Sequence, residues 1–375
     1  MQLSLPPLTL LGSEVLPMQF ESITRLDFPP FKDFSLQLPP GVTVIAGTNG
    51  VGKSRLLTFL AQQRFGSSGE LHTVTMRGMG SDGKLIHFQP YRNLPQIGIQ
   101  SLQPYDQRYT PNNSPPDTSN FSNMGYIFKH WFVHMDYFET KGWIEDPQSA
   151  SNYNLCKKIF SILDPRYRFL EINRNFDVLI ETPTGPLSYD QTSSGFQSAY
   201  MLLFGIVLGV EYYSRGQQAA EEFDGCILID EIDVHLHPTW QNKILSLIQE
   251  IVPRAQIIAT THSPHIIQGL SEHQLVVLES GTNGLPQIKK IFPKPESYGF
   301  QGWSIEEILR DVMGIEDTLS QERQRIEQEF NDALDSDDLA AAQAPYEHLM
   351  TMLHPTNPLR RVYDMQYRAM GGVSV

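Results

Sequence analysis

Cysteine is scarce: the 375-residue chain holds two, Cys156 and Cys226. Two thiols cannot build a disulfide framework, and Cys226 lies in an apolar, strand-like run, so a reducing, cytoplasmic setting is expected. Long apolar runs are also lacking. The longest, Met201 to Val210, is interrupted by Gly205 and Gly209 and is about half of the ~20 residues a membrane helix needs, so no contact with a membrane is expected. Residues 1–30 contain no basic segment followed by an apolar one, so no secretory leader is expected. Positive charge is in deficit, with 28 Lys and Arg against 42 Asp and Glu and a formal net charge of −14. Such a surface disfavours non-specific attraction to DNA or anionic lipid. Two local basic stretches, Arg166-Tyr167-Arg168 to Arg174 and Arg360-Arg361 to Arg368, are of a kind that ordinarily faces water. No internal repeat and no long heptad pattern is present. At 40% apolar and 19% charged residues, the chain has the composition of a packed, globular protein.

What is present is an alternation of strand and helix patterns. Residues 1–18, rich in Pro and Leu, read as an arm. Phe20 to Leu26 and Phe34 to Leu38 read as paired strands, and Val42 to Ala46, β-branched and apolar, as a short buried one. A helix with Leu56, Leu57 and Leu60 on one face begins near Gly52. The span 66–125 is rich in turn-forming residues, and 126–164 reads as helix with an aromatic stripe that includes Tyr126, Phe128, Trp131 and Phe132. Together 66–165 forms an aromatic-rich loop and helical insertion. Phe169 to Ile180 alternates as strand, and a helix follows from about Phe196 to Arg215. Cys226–Ile229, Pro238–Val252, Ile257–Thr260 and Leu275–Glu279 then alternate strand, helix, strand, strand, which argues for parallel strands with crossover helices. From about residue 296 the character changes, and Ile305–Met313, Leu319–Leu334 and Leu339–Leu353 read as three helices.

One segment carries chemistry unmistakably. Gly47-Thr48-Asn49-Gly50-Val51-Gly52-Lys53-Ser54 matches the P-loop pattern between a buried strand and a helix. Its glycines let backbone N–H groups face phosphate oxygens, and the helix N-terminus adds a dipole that favours anions. Lys53 is then expected to reach the β- and γ-phosphates of ATP, and the Ser54 hydroxyl to bind Mg²⁺. Cys226 to Ile229 places Asp230 and Glu231 at the carboxyl end of a strand, where open α/β sheets bind ligands. Asp230 is the candidate metal ligand and Glu231 the candidate general base for an attacking water. Ile257 to Ser263 is a strand with a polar tip, and His262 is the candidate sensor of the γ-phosphate. His235 and His237 form a His-x-His pair without a supporting ligand cluster. Their stretch reads as a loop leading to a helix opened by Pro238.

These motifs together resemble the ABC-type ATPases of the RecF, SMC and OLD kind. Walker A is 47–54, Walker B is 226–231, the D-loop is Asp233 to Pro238, and His262 matches the family's switch histidine. The resemblance implies an α/β, P-loop NTPase fold with an ABC-type ATPase head over residues 19–295, the inserted helical region, and a C-terminal helical region at 296–375. It also identifies Ser193-Ser194-Gly195-Phe196-Gln197-Ser198 as the signature, which in that family contacts the γ-phosphate held by the other subunit. The chain departs at Phe196, where the family often carries Glu or Gln. Gln89 is the first candidate for the Q-loop glutamine and Gln107 the second. The segment from Tyr298 to Arg310, followed by Val312-Met313-Gly314, is similar to the post-ATPase part of defence-associated ATPases such as PtuA of Septu and those of some retron systems.

The resemblance implies a homodimer, or a higher oligomer, that binds ATP and Mg²⁺, hydrolyses ATP to ADP and phosphate, and controls a separately encoded effector nuclease in antiphage defence. DNA or RNA is a further candidate ligand. Two other expectations stand beside it: a RecF-like repair or recombination ATPase that binds DNA unaided, and a scaffold that binds ATP without hydrolysing it.

Overall fold

The structure is a computed structural model that describes residues 19–63, 73–77, 84–90, 124–315 and 319–373. The expected arm at 1–18, Gln107 and most of the 66–125 stretch lie outside the described residues. The chain divides into two compact units, Met1–Gly314 and Ile315–Val375.

In the first unit, β1 (Gln19–Phe28) and β2 (Phe31–Gln37) form an antiparallel hairpin, and β3 (Val42–Gly47) runs into α1 (Lys53–Gln62). β4 (Thr73–Arg77) pairs antiparallel with β1, and β5 (Leu85–Phe88) follows. Two helices come next, α2 (Met124–Lys141) and α3 (Pro147–Leu163). Asp146 caps α3 by accepting from the Gln148 N–H at 2.9 Å, and Pro147 occupies the first helical position, where its missing N–H costs nothing. An antiparallel meander is built from β6 (Arg168–Ile172), β7 (Val178–Thr182) and β8 (Gly185–Ser188). It leads into α4 (Ser194–Ser214).

The remaining elements of this unit are β9 (Cys226–Ile229), α5 (Pro238–Gln241), α6 (Ile244–Ile251), β10 (Gln256–Thr260), α7 (Pro264–Gln268), β11 (Leu275–Ser280), β12 (Pro286–Ile288) and α8 (Ile305–Glu307), which continues as a wider π-type turn over Ile308–Val312.

Among the described residues the central sheet has six strands in the order β12-β11-β3-β10-β9-β5. All neighbours are parallel except the β11–β12 edge. Such strands must be apolar on both faces, and β3, β9 and β10 are buried throughout. Their residues alternate between two cores. Val44, Ala46, Ile227, Ile229, Ile257 and Ala259 face a core shared with α2, α3, α4 and α6. Ile45, Cys226, Leu228 and Ile258 face the other, shared with α1 and the β1–β2 hairpin. α4 lies at the heart of the first core. It is long and apolar enough to cross a membrane, but 83% of its most apolar 18-residue window is buried within the protein.

Two expectations change. The helix read over Pro238–Val252 is two, α5 and α6, because the Asn242 and Lys243 N–H groups bond back to Pro238 and Trp240 in a turn. The helical region read from residue 296 begins with residues that belong to the first unit, since Phe300, Ile308 and Val312 are fully buried in its core.

The second unit holds α9 (Gln321–Asp335), α10 (Leu339–Met352) and α11 (Leu359–Ala369). Ile326, Phe330, Ala342, Tyr346, Leu349 and Tyr367 form its own core. The Tyr346 and Tyr367 rings stack at 4.2 Å. α11 escaped the sequence reading because His354-Pro355 and Pro358 mark a stop, whereas a new helix starts just beyond them.

Candidate functional site

The loop between β3 and α1 is shaped by glycine. Gly47, Gly50 and Gly52 have φ of +143°, +78° and +107°, values that residues with side chains rarely adopt. At Gly47 an added Cβ would lie 2.1 Å from the Leu278 carbonyl oxygen of β11, so backbone passes against backbone there. At Gly50 an added Cβ meets nothing within 4 Å. Thr48, Asn49 and Gly50 form an exposed crest, and Val51 anchors the loop in the core beneath it. α1 has neither a side-chain cap nor an acidic residue in its first turn. Its first N–H groups, with the positive end of the helix dipole, therefore face the loop uncompensated by any carboxylate of their own. This is a fitting cradle for phosphate. Lys53, only 5% exposed, folds back so that Nζ donates to the carbonyls of Gly47 and Thr48, both at 2.9 Å. Ser54 is exposed on the first turn of α1.

The next strand tips converge on the same place. β10 separates β3 from β9 in the sheet. The Asp230 N–H continues the β9 ladder to Phe88 at 2.9 Å, which holds Asp230 at the carboxyl end of the sheet, 4% exposed. Thr260, the last residue of β10, links both carboxylate positions. Its hydroxyl donates to Asp230 Oδ1 and accepts from the Glu231 N–H at 2.7 Å. Glu231 sits at φ +47°; such left-handed backbone costs of order 1–3 kcal/mol and gathers at functional sites. Asp233 joins from the following turn, where its Oδ1 accepts from Thr261 Oγ1 at 2.6 Å and from the His262 N–H at 3.1 Å. Ser263 caps α7 and donates to Gln241 at 2.6 Å.

Electrostatics tie these groups together. Burial lowers the pKa of Lys53, while Asp230, Glu231 and Asp233 pull it back upward. Burial also lowers that of His262, helped by the Lys53 charge and opposed by Asp233 and Asp230. Both the burial and the Lys53 charge favour the neutral imidazole. Lys53, Asp230, Glu231, Asp233 and His262 form one electrostatic cluster at the carboxyl ends of three adjacent strands. Gln89 follows β5, next to β9, and is exposed at the same end of the sheet. Sequence reasoning missed the bridging role of Thr260 and the anchoring role of Asp233. Each is a polar residue at or just past the end of an apolar strand, which is the signal that would have marked them.

The signature residues lie elsewhere in the unit, at the start of α4. Ser193 is its N-cap and accepts from the Phe196 N–H at 3.3 Å. Ser193 and Ser194 are exposed, and Gly195 packs on His237. The departure at Phe196 has a plain cause. Its ring is buried against Tyr167 at 5.0 Å, Trp240 at 6.1 Å and Phe160 at 6.4 Å, so this position faces the core rather than the exposed serines. His237 caps α5, accepting from the Thr239 N–H at 3.3 Å. The basic stretches are engaged locally: Arg166 with Asp164, Arg168 with Glu181, Arg360 with backbone carbonyls and Arg368 with Asp364.

Residues 136–268 match the family described as "AAA domain, putative AbiEii toxin, Type IV TA system". The chain is 38% identical over 293 residues to the Septu protein PtuA of Bacillus thuringiensis, covering 77% of this chain and 73% of that one. It is 32% identical over 316 residues to a Septu protein PtuA of Bacillus mycoides, covering 74% of this chain and 41% of that one. The SMC head domain from Thermotoga maritima aligns at 12% identity over 73% of this chain and 99% of its own, with a TM-score of 0.44. The P-loop, the parallel sheet and the 38% identity that spans most of both this chain and the Bacillus thuringiensis protein place the chain in the PtuA family of Septu proteins, ABC-type ATPases of antiphage defence systems.

Proposed function

We propose that this chain binds ATP with Mg²⁺, hydrolyses it in a site completed by a second copy, and uses that cycle to control an effector protein, a nuclease in the reading we favour. The observation that supports this most is the convergence of the 47–54 loop, Asp230-Glu231 and His262 at the ends of three adjacent parallel strands.

In this reading the backbone amides from Gly47 through Thr48, Asn49, Gly50, Val51 and Gly52 cradle the phosphates, and Lys53 moves from the Gly47 and Thr48 carbonyls onto the β- and γ-phosphates. Ser54 Oγ and the Asp230 carboxylate hold Mg²⁺, which when bound neutralises charge on the phosphate oxygens. Thr260 keeps the Asp230 carboxylate in place and braces Glu231. The Glu231 carboxylate accepts the proton of the water that attacks the γ-phosphorus, and ADP leaves with the β-phosphate oxygen. Neutral His262 hydrogen-bonds to the γ-phosphate and reports its presence. Gln89 reaches the same end from β5. Ser193, Ser194 and the Gly195 N–H face the nucleotide of the second copy, as a capped helix start suits an anion. Two such sites face each other in a two-fold dimer.

The test is the Glu231→Gln variant with Mg-ATP. Turnover falls, and size-exclusion with light scattering finds an accumulated dimer. A chain that stays monomeric under these conditions contradicts the composite site. Unchanged turnover contradicts the role given to Glu231.

A further inference from the structure

The turn before the signature is held from an unexpected direction. Tyr189–Gln191 form one 3-10 turn between β8 and Ser193. From the signature side, Gln197 Nε2 donates to the carbonyls of Tyr189, Asp190 and Thr192 at 3.2, 3.0 and 3.1 Å. From the other side the turn is held by α2. Lys129 of α2, 5% exposed, donates from Nζ to Asp190 Oδ2 and lies 3.7 Å from Asp177 Oδ1. One helical residue away, Phe128 packs on Tyr189 at 5.0 Å. Asp177 precedes β7 and Asp190 follows β8; the two strands pair antiparallel, so both carboxylates lie at the open end of this hairpin, where one buried ammonium faces them together.

We infer that Lys129 is a positioning residue for the signature, and that α2 is the lever that aligns Ser193 and Ser194 with the partner copy's nucleotide. A cation with 6% of its side chain exposed, set against two carboxylates, is a costly arrangement to keep. Nothing in the packing of α2 requires a charge there, since Phe128, Trp131 and Phe132 already bury the helix. What the ion pair adds is a fixed distance between α2 and the turn two residues before the helix cap. This inference rests on the proposed composite site.

The test uses Lys129→Met, which keeps the side-chain length and removes the charge, Lys129→Arg, which restores it, and Asp190→Asn as a second way to break the pair. Lys129→Met and Asp190→Asn lower kcat by about 10- to 100-fold, the cost of misplacing a transition-state contact by about an ångström. KM and the Mg-ATP thermal shift stay near wild type, because each chain's own phosphate loop is intact. Lys129→Arg recovers most of kcat. Mixing Lys129→Met with Lys53→Ala also recovers turnover, because the sound phosphate loop of the first then meets the sound signature of the second.

Unchanged kcat in both charge-removing variants overturns the inference. So does a loss of kcat that mixing fails to restore, or that falls in step with the thermal shift, since either marks a merely structural pair. Ser193→Ala with Ser194→Ala is the control for the parent reading. If that double variant turns over ATP normally, the composite site itself fails, whatever Lys129 does.

Discussion

Lys53 and His262 are the residues on which the site's electrostatics turn. The Lys53 charge is one of the two causes that depress the His262 pKa, burial being the larger. Lys53→Ala therefore raises the His262 pKa, read from imidazole NMR shifts across a pH titration; an unmoved pKa means the two groups are not neighbours. The sign of the stability effect also follows. An unfolded imidazole takes up its proton near pH 6.5, and the folded one does so only at lower pH, so His262 subtracts stability as pH falls through about 6.5 and subtracts none above it. The glycines of the loop separate by surroundings. At Gly47 a methyl group would strike the Leu278 carbonyl, at Gly50 it meets open space, and both positions have positive φ. Gly47→Ala is expected to cost about 3 kcal/mol or more and Gly50→Ala about 1 kcal/mol in denaturant unfolding. Equal costs would contradict the close approach of β3 and β11.

At the scale of elements, the strands were the legible part. β3, β9 and β10 announce themselves as short β-branched runs with polar tips, because a strand buried on both faces has no room for anything else. Part of the chemistry was legible for the same reason, since Asp230, Glu231 and His262 follow apolar runs; Lys53 was legible instead from the glycine-rich 47–54 pattern that leaves β3. What sequence could not give was the direction of side chains on α4. That helix is apolar on nearly every face, so no periodicity marks which residue meets which neighbour. Phe196 was therefore read as an altered signature residue, whereas it is a core ring. Phe196→Gln is expected to destabilise by about 3 kcal/mol or more, since it removes the ring packing and buries an amide. Wild-type stability by denaturant unfolding would show that the ring contributes no packing. Lys129 was overlooked because its partners, Asp177 and Asp190, lie far along the sequence and are joined to it only through the meander.

At the scale of the whole molecule, the chain separates into a nucleotide-site unit and a helical unit with its own core. The divide sits at Ile315 because Phe300, Ile308 and Val312 pack into the first core. A chain ending at Gly314 is expected to keep its Mg-ATP thermal shift. One ending at residue 299 loses those three buried side chains and melts well below it, at about 2–4 kcal/mol for each large one removed. Equal melting of the two truncations would place the divide elsewhere. Above this division stands the claim that a triphosphate rests on residues 47–54 with Asp230 steadying its magnesium. The most direct test is unfolding of the wild type and Lys53→Ala with and without Mg-ATP. Wild type gains about 2.7 kcal/mol at a ligand level of about 100 times Kd, and the variant at the same concentration gains little or nothing. An equal gain in both, or none in the wild type, contradicts the account.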